Sequence, residues 1–140
     1  DKKYSVLDSK PANVYSSDVS PDGKYYVYGL DGGDIVIQDE NSGEIIQNLK
    51  VHNGYNCRVS WSPNGKYIIT DSDDGNLKIW DAKSGMCLQT FEGHNTYVAF
   101  VGFTSDCRKI VTEYLDDVIL QWDFPPLDEL IEKTKKWAGK

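Results

Sequence analysis

The sequence is poor in several things at once. Its three cysteines, Cys57, Cys87 and Cys107, are an odd number without CxxC spacing, which argues against a disulfide framework and against a cysteine-built zinc site. No Asn is followed two residues on by Ser or Thr, so the glycosylation acceptor of secreted proteins is missing too. A reduced, cytoplasmic home is expected. The longest tight apolar run is Val98-Ala99-Phe100-Val101, far short of the ~20 residues of a membrane-spanning helix, and no membrane association is expected. Positive charge is scarce: 15 Lys and Arg against 22 Asp and Glu leave a net −7, which disfavours a phosphate-tracking nucleic-acid surface and suits basic or neutral partners. The chain opens Asp1-Lys2-Lys3-Tyr4, with neither an initiator Met nor the apolar stretch of a signal peptide, and the expectation is a segment cut from something longer.

What is present is a repeat. Ser20-Pro21-Asp22-Gly23-Lys24-Tyr25 recurs as Ser62-Pro63-Asn64-Gly65-Lys66-Tyr67 and, degraded, as Thr104-Ser105-Asp106-Cys107-Arg108-Lys109, at a constant offset of 42. Gln38-Asp39, Trp80-Asp81 and Trp122-Asp123 keep that offset, as do Asp74 and Asp116, and His52 and His94. One rigid supersecondary unit is therefore used three times in 140 residues, a length that holds one core at most. Short β-branched or aromatic runs such as Tyr67-Ile68-Ile69-Thr70 and Asn76-Leu77-Lys78-Ile79-Trp80 lie between Gly- and Asp-rich turns, which predicts antiparallel meanders. A fourth run recurs at Lys2–Leu7, Glu44–Leu49 and Met86–Phe91, so the unit has four strands.

These residues resemble the WD-repeat β-propeller family: Gly93-His94 near a repeat start, Trp80-Asp81 and Trp122-Asp123 at repeat ends, and Ser-Pro-Asp-Gly-Lys turns between them. His52 to Trp80 and His94 to Trp122 are both 28 residues apart, with an Asp six residues before each Trp. The resemblance covers about residues 2–124 and implies an all-β WD-repeat propeller segment of three four-stranded blades. Its expected organisation is an orphan outer strand at 1–7, repeats at about 8–49, 50–91 and 92–124, and a short amphipathic helix at 125–140. In that helix Leu127, Leu130, Ile131 and Thr134 share one face, behind Pro125-Pro126.

His94, Asp116 and Thr112 have the residue types of a catalytic set. The resemblance implies a structural role instead: hydrogen-bonded tetrads of His52, Thr70, Asp74 and Trp80, and of His94, Thr112, Asp116 and Trp122. The first copy has Lys10, Tyr28, Gly32 and Gln38 at those places, so its tetrad cannot form and its blade is expected to be the least stable, held by Tyr26, Val27, Ile35 and Ile37. Asp71-Ser72-Asp73-Asp74-Gly75 is a poor calcium loop, because its Gly comes one place early and Ala82 stands where a bidentate Glu is needed. The glycines from Gly29 to Gly33 spell no phosphate loop. No enzyme, metal or cofactor is expected.

On propellers of this family partners meet the end carrying the loops between blades. The matching positions are Asn13, Tyr15 and Asp31; Tyr55, Cys57 and Asp73; and Tyr97, Ala99 and Leu115. Tyr15, Tyr55 and Tyr97 either offer interface rings to a protein or peptide or pack across the mouth of the central channel. Three blades are too few for a ring of ~4–8. The remaining blades are expected from the same larger protein, from another chain, or from a second copy in a head-to-tail dimer. The resulting expectation is a non-catalytic protein- or peptide-binding scaffold. The alternative is the sensor part of a bacterial effector system whose enzyme lies on another segment or chain, since a helix after the last blade is similar to the ending of some such proteins.

Overall fold

The computed structural model describes residues 13–50, 57–71, 75–92 and 98–123, and these hold strands and no helix. The strands are β1 (Val14–Val19), β2 (Tyr25–Leu30), β3 (Asp34–Asp39), β4 (Ile45–Lys50), β5 (Arg58–Trp61), β6 (Tyr67–Asp71), β7 (Asn76–Asp81), β8 (Cys87–Glu92), β9 (Val98–Phe103), β10 (Lys109–Tyr114) and β11 (Ile119–Asp123). They form three antiparallel meanders, β1-β2-β3-β4, β5-β6-β7-β8 and β9-β10-β11. The repeat extends to irregularities of pairing: the register shifts between Ile37 and Gln38 in β3 and at the equivalent Ile79 and Trp80 in β7. The expected strand at 1–7 and helix at 125–140 lie outside the described residues.

The turn sequences explain the meanders. Ser20 donates its hydroxyl to the Asp22 carboxylate at 2.6 Å, the same carboxylate accepts the Lys24 N–H at 3.0 Å, and the Ser20 oxygen accepts the Tyr25 N–H at 3.0 Å. Ser62, Asn64, Lys66 and Tyr67 repeat this at 2.7, 3.0 and 2.9 Å. Thr104, Asp106, Arg108 and Lys109 do so at 2.7, 3.0 and 3.2 Å. The turn needs one left-handed residue, which Gly23 and Gly65 supply at φ 74° and Cys107 supplies at φ 61° despite its side chain. The hairpins between the third and fourth strands are tied by Asp39, which accepts the Asn41 and Ser42 N–H groups at 2.9 Å, and by Asp81, which accepts from Lys83 N–H at 3.1 Å and the Ser84 hydroxyl at 2.9 Å.

The core lies between the sheets. Val27, Ile35 and Ile37 of the first pack with Cys57, Val59, Trp61, Ile68 and Trp80 of the second. On the other side of the second sheet Tyr67, Ile69, Leu77 and Ile79 pack with Val101, Ile110 and Tyr114 of the third. Alternation sends successive side chains of β6 to opposite neighbours, so every residue of that strand is buried. The first strands of the sheets run side by side, β1 against β5 and β5 against β9. Side chains of β1 tie that row together: the Ser16 hydroxyl donates to the Cys57 carbonyl at 3.1 Å and accepts the Val59 N–H at 3.0 Å, and Asp18 accepts the Trp61 N–H at 2.8 Å. Gly29 has no substitute at this junction, because a Cβ there would run into the Cys57 carbonyl oxygen.

Candidate functional site

The Trp–Thr bond of each expected tetrad is present. The Trp80 indole N–H donates to the Thr70 hydroxyl at 2.9 Å with both residues buried, and Trp122 donates to Thr112 at 3.2 Å. Asp116 sits in the following turn and accepts the Val118 N–H. His52, Asp74 and His94 lie outside the described residues. Thr70 and Thr112 are fully buried and accept indole protons rather than facing solvent, which suits a tie between neighbouring strands.

The first blade carries a pair that the sequence reading did not foresee. Tyr28 and Gln38 replace Thr and Trp at the same ten-residue separation, and the Tyr28 hydroxyl donates to Gln38 Oε1 at 3.1 Å. Gln38 Nε2 then donates to the Gly43 carbonyl at 3.0 Å, in the next turn. Both side chains are buried, and burial, with Tyr26 close by, pushes the Tyr28 phenol above its ordinary value of 10.0. The long donor has moved from the third strand to the second, and the blade keeps a cross-strand polar tie. Of the residues expected to hold it, Val27 and Ile35 are fully buried and Ile37 nearly so, while Tyr26 is only partly buried.

Of the expected partner face, Asn13, Tyr15, Asp31 and Leu115 are exposed. The Asp31 N–H donates to the Asn13 carbonyl at 2.9 Å, which places these two residues together. Tyr15 is 41% exposed, and the Arg58 guanidinium lies 5.1 Å over its ring and donates to its hydroxyl at 3.3 Å. Arg58 is the functional candidate that the sequence reading missed, since its repeat counterpart is Ser16 and nothing in the pattern marks it. A polar recess of about 260 Å³ lined by Ser17, Arg58 and Ser60 opens beside the inner strands. Cys57 is a correction: it is fully buried among Val27, Ile35 and Val59, because it precedes β5 at the sheet junction, and it offers nothing to a partner. Tyr55, Asp73 and Tyr97 lie outside the described residues, as does the side chain of Ala99.

The sequence profile of the WD domain, G-beta repeat family matches residues 43–81 and 85–123, more than half of the chain. The chain belongs to the WD-repeat family. Each matched segment begins just before the outer strand of one blade and ends with the third strand of the next. The first three strands of blade one fall outside the matches, and with the turn between the second and third they carry Tyr28, Gly32 and Gln38 in place of the family signature. Their membership as a third WD repeat rests on the sheet order and the 42-residue register. No curated protein sequence matches the chain. WD repeats serve generally as scaffolds for protein interaction, and a WD-repeat propeller of more than three blades is implied by this partial ring.

Proposed function

We propose that this chain is a non-catalytic scaffold within a larger WD-repeat propeller, and that it receives a protein or peptide on the end carrying Asn13, Tyr15, Asp31 and Leu115. The observation that carries the reading is Tyr15: a half-exposed ring braced by the Arg58 guanidinium, so that aromatic area is presented in a fixed orientation at small entropic cost. Asp31 beside it supplies a carboxylate for a donor on the ligand. Tyr55, Asp73 and Tyr97, at the same repeat positions, extend the same face in this reading. A reducing, cytoplasmic setting belongs to it as well, supported by the odd number of cysteines, Cys57, Cys87 and Cys107, and their lack of CxxC spacing.

The test is a selection of peptides from a displayed library on the full chain, with affinities of the selected peptides then measured for variants. Tyr15→Ala, Tyr55→Ala and Tyr97→Ala should each weaken binding about tenfold or more, as loss of an aromatic anchor does. Met86→Ala, at an exposed residue of the opposite end, should leave it unchanged. Selected peptides that ignore all three tyrosines would remove this face from the proposal.

A further inference from the structure

The turns that join the first to the second strand of each blade, and the third to the fourth, gather at the end away from Tyr15. There, between the first two blades, lies a cleft of about 390 Å³, within the ~300–1,000 Å³ of ligand pockets. Tyr25, Ile37, Ile46 and Trp61 wall it, and Asp22, Asn64 and Lys83 are at its rim. The next junction is built from the same repeat and packs differently. Tyr67, one repeat after Tyr25, is 1% exposed and stacks on Phe103, one repeat after Trp61, with ring centroids 6.5 Å apart. Tyr25 is only partly buried. Two other lining residues, Gly65 and Ala82, are smaller than Cys107 and Phe124, which occupy their places in the following repeat.

A second observation concerns Trp61 alone. It is 7% exposed, and its indole Nε1–H is buried with no acceptor, whereas the indoles of Trp80 and Trp122 each donate to a threonine. Its repeat counterparts are Val19 and Phe103, neither of which carries a donor, so packing at this position does not call for an indole. A buried donor without a partner is destabilising, and the residue that carries it is one of those lining the cleft.

We propose that this cleft is a second binding site, which takes a short polypeptide segment by one bulky apolar side chain while a carbonyl oxygen of the segment accepts the Trp61 Nε1–H. The walls select the apolar side chain. Indole donates and cannot accept, which selects the carbonyl. The rim offers the Asp22 carboxylate as acceptor and the Asn64 amide and Lys83 ammonium as donors. That mixture matches the alternating N–H and C=O of a peptide backbone better than a ligand of single charge sign such as phosphate. The nitrogen is shielded in this structure, so the bond forms with a turn of the ring, a side-chain adjustment of the kind common on binding. The site lies on the opposite end from the proposed scaffold face and does not rest on that reading.

The probe is N-acetyl-leucinamide, titrated into the full chain labelled with nitrogen-15. Of the four tryptophan indole signals, that of Trp61 is assigned by its loss in Trp61→Phe. It should move downfield and saturate, while the Trp80 signal stays in place, and inorganic phosphate should move neither. Ala82→Phe, which installs the residue of the following repeat, should weaken binding at least tenfold with the backbone amide spectrum preserved. Should that variant misfold, Trp61→Phe should give the same loss, read on the Ile46 methyl signals. A Trp61 signal that does not respond, responds to phosphate instead, or titrates equally in the wild type and the folded filled-cleft variant would overturn the proposal.

Discussion

The polar ties inside the blades show how much one atom can decide. Thr70 Oγ1 is the acceptor for the Trp80 indole, and both residues are buried. Thr70→Val keeps the shape and leaves an N–H without a partner, which costs about 1–3 kcal/mol. Thr112→Val should cost less, because Trp122 is only half-buried and its bond of 3.2 Å is longer. In the first blade, Tyr28→Phe removes the hydroxyl that donates to Gln38 and should cost about 0.5–1.5 kcal/mol, the net worth of an ordinary hydrogen bond. Urea unfolding of the three variants checks the order. Equal midpoints for Thr70→Val and wild type would show that the tie carries no stability. The Tyr28–Gln38 pair was readable in principle from its ten-residue spacing, but only to a reader who allowed donor and acceptor to exchange strands. The family pattern points to Thr and Trp, and a pair of other residue types looks like decay.

At the scale of elements, the turn after each first strand is one design with a variable charge. Hydrogen bonds from Ser20 and then from the Lys24 N–H hold the Asp22 carboxyl below its ordinary 3.8, and Thr104 followed by the Arg108 N–H do the same for Asp106. Asn64 fills the same geometry in the middle blade with an amide that does not titrate. A depressed carboxyl binds its proton more weakly in the folded chain than in the unfolded one. Its contribution is therefore complete above about pH 4 and is lost as pH falls through the lower folded values. Both carboxylates are exposed, so the effect is read as a difference in slope. Thermal unfolding followed from neutral to strongly acid pH should fall less steeply below about pH 4 in the Asp22→Asn, Asp106→Asn double variant than in the wild type. Identical acid limbs would mean that these turns contribute nothing to acid sensitivity. The strands and turns were legible because period-two alternation and the turn residues act locally. Burial of Cys57 and the placing of Arg58 over Tyr15 were not, since both depend on how one blade leans on the next, and the repeat gives Ser16 no resemblance to Arg58.

At the scale of the whole molecule, the register itself shows where further blades belong. Ile35 and Leu77 are fully buried at the junctions with the blades that follow them, and Ile119, one repeat on, is 65% exposed. Trp61 is 7% exposed against the preceding blade, while its counterpart Val19 in the first blade is 47% exposed. Among the described residues, two flanks whose repeat counterparts are covered are thus exposed, one on the first blade and one on the third. Whether other blades or a second copy cover them, Ile119 should behave as a core residue in the assembled ring and as a surface residue in an open one. Leu77→Ala sets the scale, at about 2–5 kcal/mol for a buried aliphatic side chain. Ile119→Ala in an open arc should stay within about 0.5 kcal/mol, and in a closed ring it should approach the Leu77 value. If copies of this chain close on one another, the melting temperature should rise with protein concentration, a species of twice 15.8 kDa should sediment, and Ile119→Lys should abolish both. If blades from elsewhere complete the ring, the isolated chain should show neither concentration dependence nor the doubled mass, and the Ile119→Ala penalty should appear only in the complete assembly. A Leu77-sized penalty at Ile119 in a chain that sediments as one stable copy would contradict the open arc altogether, because it would mean that three blades cover their own flanks.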